Sequence, residues 1–111
     1  MLVLFDHGTP KGLGRLLATH TVHTAQSRGW DTLSNGELLA AAEGAGFEVL
    51  LTTDRRIRYQ QNLKGRRIAL VVLTGSTKWS LVRRHGDRIA AAVGDAASGS
   101  YREVDIPLEA I

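Results

Sequence analysis

Cysteine is absent from this 111-residue sequence. That excludes disulfide scaffolds, thiolate zinc sites and cysteine nucleophiles, and it suits a reducing compartment. Long apolar runs are absent too. The longest are Leu2–Phe5, Leu38–Ala42 and Ile68–Leu73, far short of the roughly 20 residues that span a bilayer. The N-terminus shows neither the basic start nor the long apolar stretch of a signal peptide. A cytoplasmic protein without membrane association is expected. Two prolines stand beside twelve glycines, and 43% of the residues are hydrophobic, which excludes a collagenous or disordered chain. The length suits a single domain, residues 1–111, with a core of its own.

Acidic residues are missing from one long stretch. From Arg55 to Gly86 there are nine Lys and Arg and no Asp or Glu, although the net charge is only +3. The rest of the chain carries five Lys and Arg against eleven acids, a balance of −6. A basic stretch set against an acidic remainder is a functional clue; its plain alternative is an ordinary solvated surface.

The apolar pattern predicts alternating strands and helices. Leu2–Phe5 reads as a buried strand closed by the turn Asp6-His7-Gly8. Thr9-Pro10 reads as an N-cap with proline at the first helical position, before a helix with Leu13, Leu16 and Leu17 on one face. Thr21–Thr24 is a weak second strand. Ser34-Asn35-Gly36-Glu37 matches a capping box and starts a helix that stops near Gly46. Phe47–Thr52 is a third strand. A helical turn is expected around Tyr59–Leu63. Ile68–Leu73 is continuously apolar, as in a parallel strand covered on both faces. A turn at Thr74–Thr77 leads into one long helix from Leu81 to Ala96, with His85 on its apolar side. Tyr101–Ile106 alternates as an edge strand. This order predicts an α/β fold with a mainly parallel, five-stranded sheet and right-handed crossovers.

Ligands of such sheets sit beyond the carboxyl ends of the strands. Asp6 follows strand one, Asp54 follows strand three, and Glu37 lies in the first turn of the intervening helix. Asp31 is a fourth candidate. Converging carboxylates repel unless a cation neutralises them, and hard oxygen donors suit Mg2+ or Mn2+. Each acid also has a local explanation: Glu37 closes the capping box, and the aspartates hold turns. Arg55, Arg56, Arg58 and Tyr59 follow Asp54 directly and form a candidate RNA-binding segment, with His7 and Lys78 as further contacts. Trp30 and Trp79 read as packing residues, with base stacking a second role open to Trp79.

The start Leu4-Phe5-Asp6 with Pro10, the segment Gly29-Trp30-Asp31 through Asn35-Gly36-Glu37-Leu38-Leu39, and Gly46-Phe47 through Leu50-Leu51-Thr52-Thr53-Asp54 together resemble the small PIN-like proteins. These are related to PIN-domain toxins of bacterial type II toxin–antitoxin pairs. The resemblance spans about Leu2 to Ile106. It implies a three-layer α/β/α sandwich and a metal-dependent ribonuclease with Asp6, Glu37 and Asp54 as its Mg2+- or Mn2+-binding acids. Single-stranded RNA and a cognate antitoxin protein are the implied partners, with a homodimer also compatible. Two positions depart from the pattern. His7 stands where many relatives carry a second acid, and Arg55 and Arg56 stand where many carry another. A catalytically inactive module that binds RNA or protein is therefore the alternative. A third, the phosphoacceptor receiver, would use Asp6, Asp54 and Thr74 but also needs a lysine after the fifth strand, which this sequence lacks.

Overall fold

The computed structural model describes residues 1–57 and 65–108. Arg58, Tyr59 and the helical turn expected at Tyr59–Leu63 lie outside them. The described strands are β1 (Leu2–Phe5), β2 (Thr21–Thr24), β3 (Val49–Thr52), β4 (Ala69–Gly75) and β5 (Tyr101–Ile106). The described helices are α1 (Leu13–Leu16), α2 (Asn35–Gly44), α3 (Trp79–Val82) and α4 (Gly86–Gly94), with short 3-10 turns at Gln26–Arg28 and Arg83–His85. No described helix is long and apolar enough to cross a membrane.

All five strands pair in parallel, in the order β2-β1-β3-β4-β5. Two apolar clusters cover the two faces. On one side Val3, Phe5, Leu51 and Val71 pack against Leu13 and Leu17 of the α1 region, Val82 of α3, and Ile89 and Val93 of α4. On the other side Leu4, Leu50, Leu70 and Val72 pack against Leu38, Leu39 and Ala42 of α2. The result is the three-layer α/β/α sandwich that the PIN-like resemblance implies. Because side chains alternate along a strand, coverage of both faces demands continuous apolarity, and Val49–Leu51 and Ala69–Leu73 are all buried. The edge strand β5 buries only Val104 and Ile106, as its alternation predicts.

Local differences from the expected helices have tertiary causes. Thr9 does not cap α1. Its buried hydroxyl donates to the Leu51 carbonyl at 3.1 Å, and α1 begins only after Gly12. Leu16 is not a core residue but 42% exposed. The long helix expected after β4 is divided at Arg83–His85 and ends at Gly94. There Gly86 faces Leu16, and a Cβ on Gly86 would come within 2.6 Å of Leu16 Cδ1. His85 is half-buried beside Arg88 rather than in the core.

The chain leaves β1 outward to β2, then crosses back to form β3 on the other side of β1. That reversal opens a crevice between the loops that leave β1 and β3. Asp6 and Asp54 follow those two strands.

Candidate active site

The Ser34 capping box forms as expected. Ser34 Oγ accepts from the Glu37 N–H at 3.3 Å, and the Ser34 N–H donates to Glu37 Oε1 at 3.0 Å. These bonds hold the exposed Glu37 carboxylate below the usual range, the Ser34 backbone contributing most. Glu37 is thereby turned back along its own helix. The residue of the same turn that reaches Asp54, in the loop after β3, is Asn35.

Asp6 sits at the end of β1, where its N–H donates to the Leu51 carbonyl at 3.0 Å and extends the pairing with β3. Its Oδ1 accepts from the His7 N–H at 2.7 Å. Its Oδ2 accepts from the Thr52 hydroxyl, also at 2.7 Å. Thr52 is fully buried at the end of β3, and its Oγ1 in turn accepts the Asp54 N–H at 3.1 Å. Thr52 thus ties the carboxylate of Asp6 to the backbone that presents Asp54.

Asp54 is closely held. Asn35 Nδ2 donates to its Oδ2 at 3.1 Å. The Arg56 N–H donates to Oδ1 at 2.9 Å, and the Arg56 guanidinium forks across both oxygens through Nε at 3.2 Å and Nη2 at 3.3 Å. The Arg56 guanidinium keeps the Asp54 carboxyl below its ordinary value; partial burial opposes this, and the Asn35 amide and the Arg56 N–H add to it. The Asp54 side chain is 24% exposed and that of Arg56 is 77% exposed. Arg56 therefore covers the carboxylate from solvent rather than being buried with it.

Beside Asp6 a cleft of about 340 Å³ opens between the β1–α1 loop and the end of β2, lined by Asp6, His7, Thr9, Lys11, Thr24 and Gln26 among others. Gly8, with φ +91°, makes the turn that brings this loop against Thr53. A larger cleft of about 480 Å³ lies at the opposite rim, bordered by Glu43, Glu48, Arg67 and Ser98. Glu43 is already engaged there by Arg66 and by the N–H groups of Arg67 and Ile68.

The structure therefore joins Asp6 and Asp54 through Thr52, and adds Asn35 and Arg56. It leaves Glu37 on its cap and Asp31 exposed at the entry to α2. His7, Arg55 and Lys78 are exposed at the carboxyl rim. Among the described residues no three His, Asp or Glu side chains converge closely enough to hold a metal ion. Two carboxylates with an amide beside them still make a hard-oxygen donor set. Mg2+ commonly takes one or two carboxylates and keeps several waters, and the donor chemistry of Asp6 and Asp54 is of that kind; in this structure both carboxylates are engaged by His7, Thr52, Asn35 and Arg56. Asn35 and Thr52 were missed in the sequence, where they read as a helix-start residue and a strand-former. The Thr74 hydroxyl on β4 donates to the carboxylate of Asp105 on β5 at 3.2 Å, an acid near where a receiver needs its lysine.

Comparison with protein-family models, with curated proteins and with solved structures finds no match to this chain.

Proposed function

We propose that this chain is a PIN-type ribonuclease, dependent on Mg2+ or Mn2+, that cleaves single-stranded RNA at Asp6 and Asp54. The toxin role in a toxin–antitoxin pair is part of the same proposal. The observation that carries it is the Thr52 bridge, which orders two acids from adjacent parallel strands at the crevice where such sheets bind ligands. Asp6 and Asp54 would hold the ion, with the Asn35 amide beside them. A bound divalent ion supplies Lewis acidity toward the scissile phosphate and lowers the pKa of its water. Arg56 and Arg55 serve the substrate. A phosphate entering the site competes with Asp54 for the Arg56 fork, whose planar geometry suits either anion.

The test is cleavage of a labelled single-stranded RNA by purified protein with Mn2+, alongside Asp6→Asn and Asp54→Asn. Cleavage by the wild type and its loss in both variants supports the reading. Equal cleavage by all three contradicts it.

A second reading is favoured by one feature, the Arg56 fork across Asp54 with an amide, not a carboxylate, at Asn35. An acid so engaged also suits a non-catalytic module in which Asp54 only positions Arg56. That module would retain RNA with a steep salt dependence, would cleave nothing with any divalent ion, and would lose binding in Arg55→Ala and Arg56→Ala.

A further inference from the structure

Residues 55–86 are not the only acid-free stretch. Residues 7–30 contain Lys11, Arg15 and Arg28 and no Asp or Glu. The fold brings the two stretches together at two close approaches. At one, Leu16 lies on Gly86. At the other, Trp79 lies on Gly12, where a Cβ would come within 2.5 Å of the ring carbon Cζ2. Only a residue without a side chain permits that ring position. Lys11 precedes Gly12 and lines the cleft beside Asp6. Lys78 precedes Trp79. Both lysines are exposed, and neither stretch carries an acid of its own, Asp6 and Asp87 standing just outside their ends. Trp79 keeps 40% of its surface exposed there, unlike the partly buried Trp30, which packs edge-on to Phe47.

An indole fixed by backbone contact on one side and open on the other, with a cation on each neighbouring segment, matches what a single-stranded nucleic acid needs. Bases stack on the ring without regard to sequence, and the flanking phosphates meet the cations. An acidic peptide would use the lysines but leave the ring without a stacking partner. We propose that Trp79 is a base-stacking platform for single-stranded RNA, with Lys11 and Lys78 on the adjoining phosphates, so that the strand reaching Asp6 passes over the start of α3. This rests on the ribonuclease reading for its substrate and adds a determinant of single-strand preference, since a base within a duplex offers no free face.

The two tryptophans of the chain allow a direct test. In Trp30→Phe protein, Trp79 is the sole indole emitter. Titration with a short single-stranded oligoadenylate in EDTA reads stacking with no turnover. The expected result is saturable quenching by the oligonucleotide and little by the matched duplex or by inorganic polyphosphate. With Trp30 restored, Trp79→Leu weakens oligonucleotide binding roughly five- to hundredfold, and Trp79→Phe keeps most of it. Lys11→Ala and Lys78→Ala each lower the salt slope by about one. Unchanged Trp79 emission overturns the proposal, as does equal quenching by polyphosphate, or quenching by an acidic peptide but not by RNA. The titration needs no Trp79 variant, so poor folding of Trp79→Leu does not protect the idea. Quenching without cleavage in Mn2+ removes the ribonuclease reading and keeps the platform. Cleavage without quenching does the reverse.

Discussion

The Thr52 hydroxyl donates to Asp6 Oδ2 at 2.7 Å. This bond crosses from the end of β3 to the end of β1 and exists because the two strands are parallel neighbours. Thr52 Oγ1 in turn accepts the Asp54 N–H, so one buried hydroxyl links the Asp6 carboxylate to the backbone that carries Asp54.

Thr52→Val keeps the shape and removes the bridge. It leaves an Asp6 oxygen and the Asp54 N–H without their partner, at a cost of about 1–3 kcal/mol. Urea unfolding should show a lower midpoint with an unchanged slope. Thr52→Ser restores the hydroxyl and should recover most of the RNA cleavage lost in Thr52→Val. Equal activity in Val and Ser variants would show that the bridge orders nothing the reaction uses.

Asn35→Asp places a third carboxylate against Asp54. Without metal the two acids repel, and the Asp54 pKa rises. With a divalent ion present the added charge is an added ligand, and Mn2+ affinity measured by calorimetry should rise on the order of tenfold. An unchanged affinity would contradict an ion held beside Asn35.

Arg56→Ala bears on pH dependence. Asp54 titrates below its ordinary value of 3.8 chiefly because of Arg56. A carboxyl with a depressed folded-state pKa adds stability that is fully present above the unfolded value and is lost as pH falls through the lower folded value. The stability advantage of wild type over Arg56→Ala should therefore be flat above about pH 5 and shrink as pH drops below 3.8. Urea midpoints across that range check it. An advantage that grows on acidification would reverse the assigned sign.

Glu37 separates a cap from a ligand. Glutamine also completes a capping box, so Glu37→Gln should leave both unfolding and cleavage nearly unchanged. Ser34→Ala should cost about 1 kcal/mol through loss of the N-cap. Loss of cleavage in Glu37→Gln with stability intact would return Glu37 to the ligand set.

What could be read from the sequence follows a physical line. The strands β3 and β4 announced themselves because burial on both faces demands unbroken apolarity. Asp6 and Asp54 stood out because a parallel sheet places the ends of its strands at one rim. The capping box was visible because its geometry is local. Which residue of that first helical turn reaches Asp54 was not visible. Successive helical residues point about 100° apart, and the docking angle that selects Asn35 over Glu37 comes from packing Leu38, Leu39 and Ala42. The break between α3 and α4 was equally hidden, since it accompanies the contact of Gly86 with Leu16, a residue far away in the sequence. Thr52 reads as any β-branched strand residue until the neighbouring strand supplies Asp6.

The most direct measurement is the single-turnover cleavage rate of a single-stranded RNA against Mn2+ concentration, for wild type, Asp6→Asn, Asp54→Asn and Glu37→Gln. The expected result is a saturable, metal-dependent rate in wild type and Glu37→Gln, and a loss of about a hundredfold or more in both aspartate variants. A wild-type rate indifferent to Mn2+, or an Asp6→Asn rate equal to it, would contradict a metal site built on Asp6 and Asp54.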